Sequence, residues 1–279
     1  MGDLDGRTYL VTGANTGIGR ETAGALAARG AKVFFACRSE AKTRPVIDEI
    51  AGETGNASLE FLELDLGDLD SVQKCAESFL QSGERLDGLI NNAGLAGQQG
   101  MTRSGFEIQF GTNHIGPFLL TNLLLERLKQ SAPARIVNVA SNAHFRVDGI
   151  DFDAVRRPTK TRSALREYGV SKLANVLHAQ ELARRLDGAG VTSYSLHPGV
   201  IASDIWRGIP WPIRPLIKLR MQSPAEGARV PVYCATSPEV AGESGLYYGD
   251  SRQKQPGPAA TPELGAELWE QSVEWVDHR

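Results

Sequence analysis

Thr8-Tyr9-Leu10-Val11-Thr12-Gly13-Ala14-Asn15-Thr16-Gly17-Ile18-Gly19 is the stretch that decides the fold. Thr8 to Val11 reads as a buried strand, and an Ala- and Leu-rich helical pattern runs from Gly19 to Arg29. Gly13, Gly17 and Gly19 therefore sit where a strand turns into a helix. Glycines at such a turn let the backbone approach a pyrophosphate, which then rests on the helix N-terminus. The spacing is Gly-x-x-x-Gly-x-Gly, and a tight strand-to-helix connection alone would also use glycines. The pattern downstream decides between the two.

Working outward, short apolar runs alternate with longer helical patterns. Strands are predicted at 32–36, 59–64, 86–90, 136–140, 191–196 and 245–248. Helices are predicted from 69 to 80, from about 113 to 130, from 168 to 186, and over a stretch ending near Ile50. Strands separated by helices of this length imply parallel crossovers. Continuously apolar strands fit a sheet covered on both faces. The expectation is an α/β, single-domain Rossmann fold: a doubly wound, seven-stranded parallel sheet with helices on both faces, spanning 1–279. In such a sheet ligands bind beyond the carboxyl ends of the strands. Gly13, Asn91, Ser141 and Pro198 all follow strands directly and fall on that edge.

Composition agrees with one soluble α/β domain. The chain has 279 residues, 41% of them hydrophobic, and a net charge of −3. That suffices for a full core, and no linker or repeat divides it. Without a long basic run there is no nucleic-acid footprint. Cys37, Cys75 and Cys234 are scattered and odd in number, which fits reduced thiols in a cytoplasmic protein and neither a disulfide framework nor a metal site. The first strand starts near Arg7, so neither a signal peptide nor a membrane anchor is expected, and no apolar run reaches membrane-spanning length.

The end of the second strand bears on which dinucleotide is bound. An acid there would take the ribose 2′-hydroxyl, whereas an arginine would accommodate a 2′-phosphate. The sequence is Ala36-Cys37-Arg38-Ser39, with no carboxylate before Glu40. Arg38 offers a bidentate fork and Ser39 another donor, so NADP(H) is expected rather than NAD(H). Asp65-Leu66, after the third strand, would lie beside the adenine. Farther along, Tyr168 and Lys172 are four residues apart and share one helix face. There an ammonium can pull the phenol below its usual value of about 10, which suits moving a proton on or off an alcohol oxygen.

With the glycine turn, Asp65, Asn91-Asn92-Ala93-Gly94, Ser141, Tyr168/Lys172 and Pro198-Gly199 in this order, the chain resembles the short-chain dehydrogenase/reductase family. The resemblance runs from about Arg7 to Tyr248. Cys37-Arg38-Ser39, the run from Asn113 to Thr121, Ser171-Lys172-Leu173-Ala174-Asn175 and His197-Pro198-Gly199-Val200 resemble its retinol dehydrogenase branch. It implies a catalytic tetrad of Asn113, Ser141, Tyr168 and Lys172. Tyr168 would be the acid/base, Ser141 would orient the substrate oxygen, and Lys172 would hold the nicotinamide ribose. Asn113 would anchor a water continuing the proton relay. Cofactor contacts are expected from Gly13, Asn15, Thr16, Gly17, Ile18, Gly19, Arg38, Ser39, Asp65, Leu66, Asn92, Ala93, Gly94, Tyr168, Lys172, Pro198, Gly199, Val200 and Ser203. The resemblance also implies a homodimer or homotetramer, with the helices near 113–130 and 168–186 pairing with their symmetry mates. Two departures from the branch stand out: no apolar anchor precedes the first strand, and Ser203 stands where Thr is common.

The expected activity is interconversion of a small apolar alcohol and its aldehyde or ketone. A regulatory protein that binds the cofactor without turnover, and an epimerase or dehydratase of the same fold, are the alternatives. His114, His144 and His197 lie beside motifs and are expected to pack or to support neighbouring site residues rather than move protons. Between Ser141 and Tyr168 lies a polar insertion containing Phe145, Asp148, Asp151, Arg156, Arg157 and Lys160, read as a surface excursion near the cleft rim. The segment 203–222 carries Trp206, Ile209, Trp211, Ile213, Leu216 and Ile217 among prolines. It is a substrate lid or, alternatively, a subunit or membrane-surface contact.

Overall fold

A computed structural model describes residues 2–199 and 222–277. Val200, Ser203 and the segment 203–221 lie outside the described residues. The strands are β1 Thr8–Thr12, β2 Lys32–Cys37, β3 Leu59–Glu63, β4 Gly88–Asn91, β5 Ala134–Val139, β6 Val191–His197, β7 Leu246–Gly249 and β8 Arg252–Lys254. The helices of eight or more residues are α1 Gly17–Ala27, α2 Glu40–Thr54, α3 Leu69–Gln81, α4 Gly116–Gln130, α5 Leu165–Arg185, α6 Pro224–Thr236 and α7 Pro262–Asp277. The strand order is β3-β2-β1-β4-β5-β6-β7-β8, parallel from β3 through β7.

The expected α/β Rossmann architecture is therefore present, with eight strands in place of seven. The addition is a hairpin: β8 pairs antiparallel with β7, and Gly249 opposes Arg252 across a two-residue turn. Asp250 and Ser251 both have φ 55°, the backbone such a tight turn requires. Three residues of polar sequence carry no periodicity by which to foresee it.

Strand alternation divides the core into two layers. Leu10, Phe34, Leu89 and Ile136 point to one face and pack with Phe79, Leu120 and Leu177 of α3, α4 and α5. Val11, Phe35, Ile90 and Val137 point to the other and pack with Leu26, Ile50 and Val230 of α1, α2 and α6. The insertion after Ser141 forms short 3-10 turns at Asn142–Arg146 and Ala154–Arg156. α7 lies on α5: Arg185 stacks its guanidinium 4.5 Å from the Trp269 ring and pairs with Glu270 at 2.8 Å, and Trp269 meets Phe118 of α4 edge-on at 5.0 Å.

The strand order reverses between β1 and β4, which places a crevice at their carboxyl ends. Thr12 ties that point together. Its Oγ1 accepts from the backbone N–H groups of Asn92 (3.0 Å) and Ala93 (2.9 Å), and its carbonyl accepts from Asn92 Nδ2 (2.8 Å). Thr12→Val keeps the shape and removes the acceptor, leaving the Ala93 N–H unmatched and the Asn92 N–H with only the Ile90 carbonyl. We expect a loss of about 1–3 kcal/mol, read as a lower urea midpoint with unchanged slope; an unmoved midpoint would show that the tie is dispensable.

Candidate active site

The first half of the site is the turn after β1. Gly13 (φ 66°) and Gly17 (φ 56°) adopt left-handed backbone. Gly19 is demanded by packing: a Cβ there would lie 2.3 Å from the Gly13 carbonyl oxygen and 2.5 Å from Asn92 Nδ2. α1 starts with no acid in its first turn, and Thr16 gives no side-chain cap. Neither a first-turn acid nor a Thr16 cap thus satisfies its leading N–H groups and positive dipole end. Asn15 and Ile18 lie on this same turn. A cradle with no room for side chains, at an uncapped helix start, fits a dinucleotide pyrophosphate.

At the end of β2, Arg38 is exposed and makes no ion pair with any described residue. Ser39 precedes α2 without spending its hydroxyl on a cap. After β3, Asp65 Oδ1 accepts from the Gly67 N–H at 3.0 Å. Leu66 follows Asp65 directly. Its side chain is buried in the core, and its backbone packs so closely on α4 that a Cβ at Gly116 would lie 2.4 Å from its carbonyl oxygen. Only its backbone edge is left to line a pocket. Pro198 and Gly199 (φ 100°) follow β6 on the same edge.

The second half converges on α5. Tyr168 and Lys172 share a face, with Lys172 Nζ 5.7 Å from the phenol ring centre. Ser141, at the end of β5, stands beside the Tyr168 phenol, and its hydroxyl accepts from the Ala143 N–H at 3.2 Å. Lys172 is buried and donates to the Val139 carbonyl at 2.8 Å. Asn113 is clamped: Nδ2 donates to Leu95 O and Ser171 Oγ, both at 2.9 Å, and Oδ1 accepts from Leu95 N at 2.9 Å. Gly94 passes between these groups; a Cβ there would be 3.1 Å from Asn113 Oδ1 and 3.4 Å from Lys172 Nζ. The four tetrad side chains and the Asn92-Ala93-Gly94 strand end are thus brought to one place.

Asn113 lies in a π-helical turn, Gly111–Ile115. Nδ2 donates twice within the protein, so a water it holds would sit on its backbone carbonyl or on the second lone pair of Oδ1. The residue four positions on, which would donate to that carbonyl in an α-helix, is Pro117, which has no N–H.

The electrostatics correct one expectation. Burial raises the Tyr168 phenol above its ordinary value, with the Ser141 hydroxyl opposing, and Lys172 does not pull it down. Lys172 is itself desolvated, and burial lowers it to about 7. In the chain alone the pair holds a protonated phenol beside an amine that titrates near neutrality.

The family model for short chain dehydrogenase matches residues 7–152. The chain is 46% identical over 279 residues to dehydrogenase/reductase SDR family member 13 of Homo sapiens, covering 98% of this chain and 74% of that one. The chain belongs to the short-chain dehydrogenase family. Within the short-chain dehydrogenases it is retinol dehydrogenase-like: retinol dehydrogenase 13 of Homo sapiens is 43% identical, over 98% of this chain and 85% of its own length. An uncharacterised protein of Mycobacterium paratuberculosis has a solved structure that superposes with a TM-score of 0.79 at 32% identity, covering 99% and 98% of the two chains. A structure from Escherichia coli CFT073 complexed with NADPH superposes at 0.70 with 25% identity, covering 89% of this chain and 98% of its own.

Two supporting features of this short-chain dehydrogenase escaped the sequence reading of the motifs: Thr12, and Gly116, which admits the Leu66 backbone. His144, expected to pack or to support a neighbouring site residue, does the second. The Gly257 N–H donates to its Nε2 at 2.9 Å, so the ring proton sits on Nδ1, which donates to the Ser141 carbonyl at 2.6 Å. His144 thus joins the Ser141 turn to the loop before α7, and burial lowers its pKa so that it stays neutral. The only advance signal was its place three residues after Ser141. His114 is buried with Nε2 3.1 Å from Ser272 Oγ, and burial lowers His197 to about 4, so both behave as packing groups.

The lowered Lys172 has a thermodynamic consequence. Between about pH 7 and its unfolded value of 10.5, the unfolded chain binds a proton that the folded one does not. Its contribution therefore makes stability rise with pH across that window, by at most about 1.4 kcal/mol per pH unit. Lys172→Met removes this contribution. We expect the variant's advantage in thermal midpoint over the parent to be greatest near pH 7 and to shrink toward pH 10. A pH-independent difference would show that Lys172 is not desolvated.

Proposed function

We propose that this short-chain dehydrogenase is an NADP(H)-dependent oxidoreductase interconverting an apolar alcohol and its aldehyde or ketone, with Tyr168 as acid and base. The observation that carries this reading is the Tyr168 phenol with Lys172 Nζ 5.7 Å from its ring and Ser141 beside it, on the carboxyl edge of the sheet. The chain's likeness to retinol dehydrogenases and to a structure complexed with NADPH supports it.

A bound nicotinamide dinucleotide would supply the hydride in reduction and accept it in oxidation. The protein supplies geometry and the proton. Ser141 Oγ and the Tyr168 hydroxyl would both donate to the substrate carbonyl oxygen, polarising it. Tyr168 would then pass its proton to that oxygen as the carbon is reduced, leaving a phenolate. Lys172 would stabilise the phenolate and return a proton to it, drawing on a water held at the Asn113 carbonyl. Oxidation would run the same steps backward. Its value near neutrality suits Lys172 to proton relay in both directions.

The free, buried cysteines Cys37, Cys75 and Cys234 are consistent with the cytoplasm. No helix among the described residues is long and apolar enough to cross a membrane. Self-association as a dimer or tetramer through α4 and α5 remains our reading, with the qualification that α7 already covers part of α5 and would belong to such an interface. The apolar segment 203–222 is our candidate for substrate choice.

Tyr168→Phe should lower kcat about 10²–10⁴-fold while leaving the NADPH dissociation constant within about twofold. Near-normal turnover would exclude Tyr168 as the acid/base. Separately, NADPH should bind more tightly than NADH, and Arg38→Asp should erase or reverse that order, because a carboxylate repels the 2′-phosphate and can accept from a ribose hydroxyl. Equal affinities in the parent protein would remove Arg38 from the site.

A further inference from the structure

A second cavity, of about 390 Å³, lies away from the cleft described above. That is within the range that holds a small organic ligand. Its walls come from the insertion after Ser141, the segment around Phe110, and α5. On α5 its lining residues include Arg166 and Val170. At 3.6 residues per turn these point about 160° away from Tyr168, so the cavity occupies the opposite side of the catalytic helix. Its floor is apolar and buried, formed by Phe110 and Val155, with Val170 partly covered.

The lining carries three cations, Arg157, Lys160 and Arg166, and three carboxylates, Glu107, Asp151 and Glu167. Between 156 and 167 stand Arg156, Arg157, Lys160, Arg162 and Arg166 against one carboxylate, Glu167. The acids lining the cavity are engaged by local hydrogen bonds. Glu107 accepts from Thr159 Oγ1 at 2.6 Å and from the Gln109 and Phe110 N–H groups at 2.8 Å each. Glu167 accepts from the Thr161 hydroxyl and from the Thr161 N–H at 2.8 Å. Asp151 accepts from the N–H groups of Asp153 (3.1 Å) and Ala154 (2.9 Å). By contrast, Lys160 and Arg166 are exposed, line the cavity and form no ion pair with any described residue.

We propose that this cavity is a binding site for a small amphiphilic carboxylate, separate from the catalytic cleft. The tail would lie on Phe110, Val155 and Val170, and the carboxylate would sit between Lys160 and Arg166. An apolar floor alone would favour any hydrocarbon; the two uncommitted cations select an anion. None of these residues belongs to the tetrad, and only the use of NADPH in the test rests on the proposed function.

The test is calorimetric titration of the full chain, saturated with NADPH, with decanoate, 1-decanol and acetate. Decanoate should bind saturably, at least about tenfold more tightly than decanol, and acetate should show no saturable binding. Lys160→Glu/Arg166→Glu should weaken decanoate at least about tenfold while leaving NADPH affinity and the thermal midpoint unchanged. Val170→Trp, which fills the cavity, should abolish binding. The charge-reversed protein rests only on exposed positions, so it decides the matter if the tryptophan variant fails to fold. Equal binding of decanoate by parent and charge-reversed protein, equal binding of decanoate and decanol, or no saturable binding of decanoate would each overturn the proposal.

Discussion

The site depends first on how the ends of β1 and β4 are held together. Thr12 receives three hydrogen bonds from Asn92 and Ala93, and Gly19 lies so near Gly13 and Asn92 that no side chain fits. The ladder between β1 and β4 ends at Val11 and Ile90, and at a switch point the connections beyond it leave toward opposite faces of the sheet, so past that point the ladder holds nothing together. This tie fixes where the glycine turn stands relative to Gly94, and Gly94 in turn meets Asn113 and Lys172. The two halves of the site are therefore set by one short stretch of backbone rather than by the distant core.

Burial then sets the chemistry. Tyr168 and Lys172 are both moved toward their neutral forms, the phenol up and the amine down. A neutral acid beside a near-neutral relay costs less desolvation than a buried ion pair would. The second tier is neutral as well: His144 keeps one tautomer because a backbone N–H occupies its other nitrogen. Ser141 is thereby oriented without placing another charge near the phenol.

Much of this was legible in the sequence because it rests on local chemistry. Strand and helix patterns show in apolar runs, the glycine turn in its spacing, and the Tyr168/Lys172 pair in helical periodicity. What stayed hidden depends on contacts between distant segments. The Thr12 tie joins residues 80 apart, and the His144 link to Gly257 spans 113. α6 and α7 lie where no helix was assigned. In α6 the interior Pro231 interrupts the pattern, although Ser223 and Glu226 form a capping box at its start. The direction of the Tyr168 shift also depended on burial, which residue spacing does not reveal. The close packing of the Leu66 backbone on Gly116 was likewise hidden, because it joins residues 50 apart.

The hairpin at the end of the sheet bears on how the molecule behaves in a crowded solution. A parallel sheet that stopped at β7 would present a row of unpaired backbone groups to any passing chain. Here that edge is taken by β8, only three residues long and wholly exposed, with Arg252 and Lys254 flanking Gln253. An incoming strand would find too little length to pair with and two positive charges to displace. At the opposite edge, β3 sets Glu60 and Glu63 outward. Both margins of the sheet are thus discouraged from growing, and a fold built on a single broad sheet is kept from becoming a template for stacking.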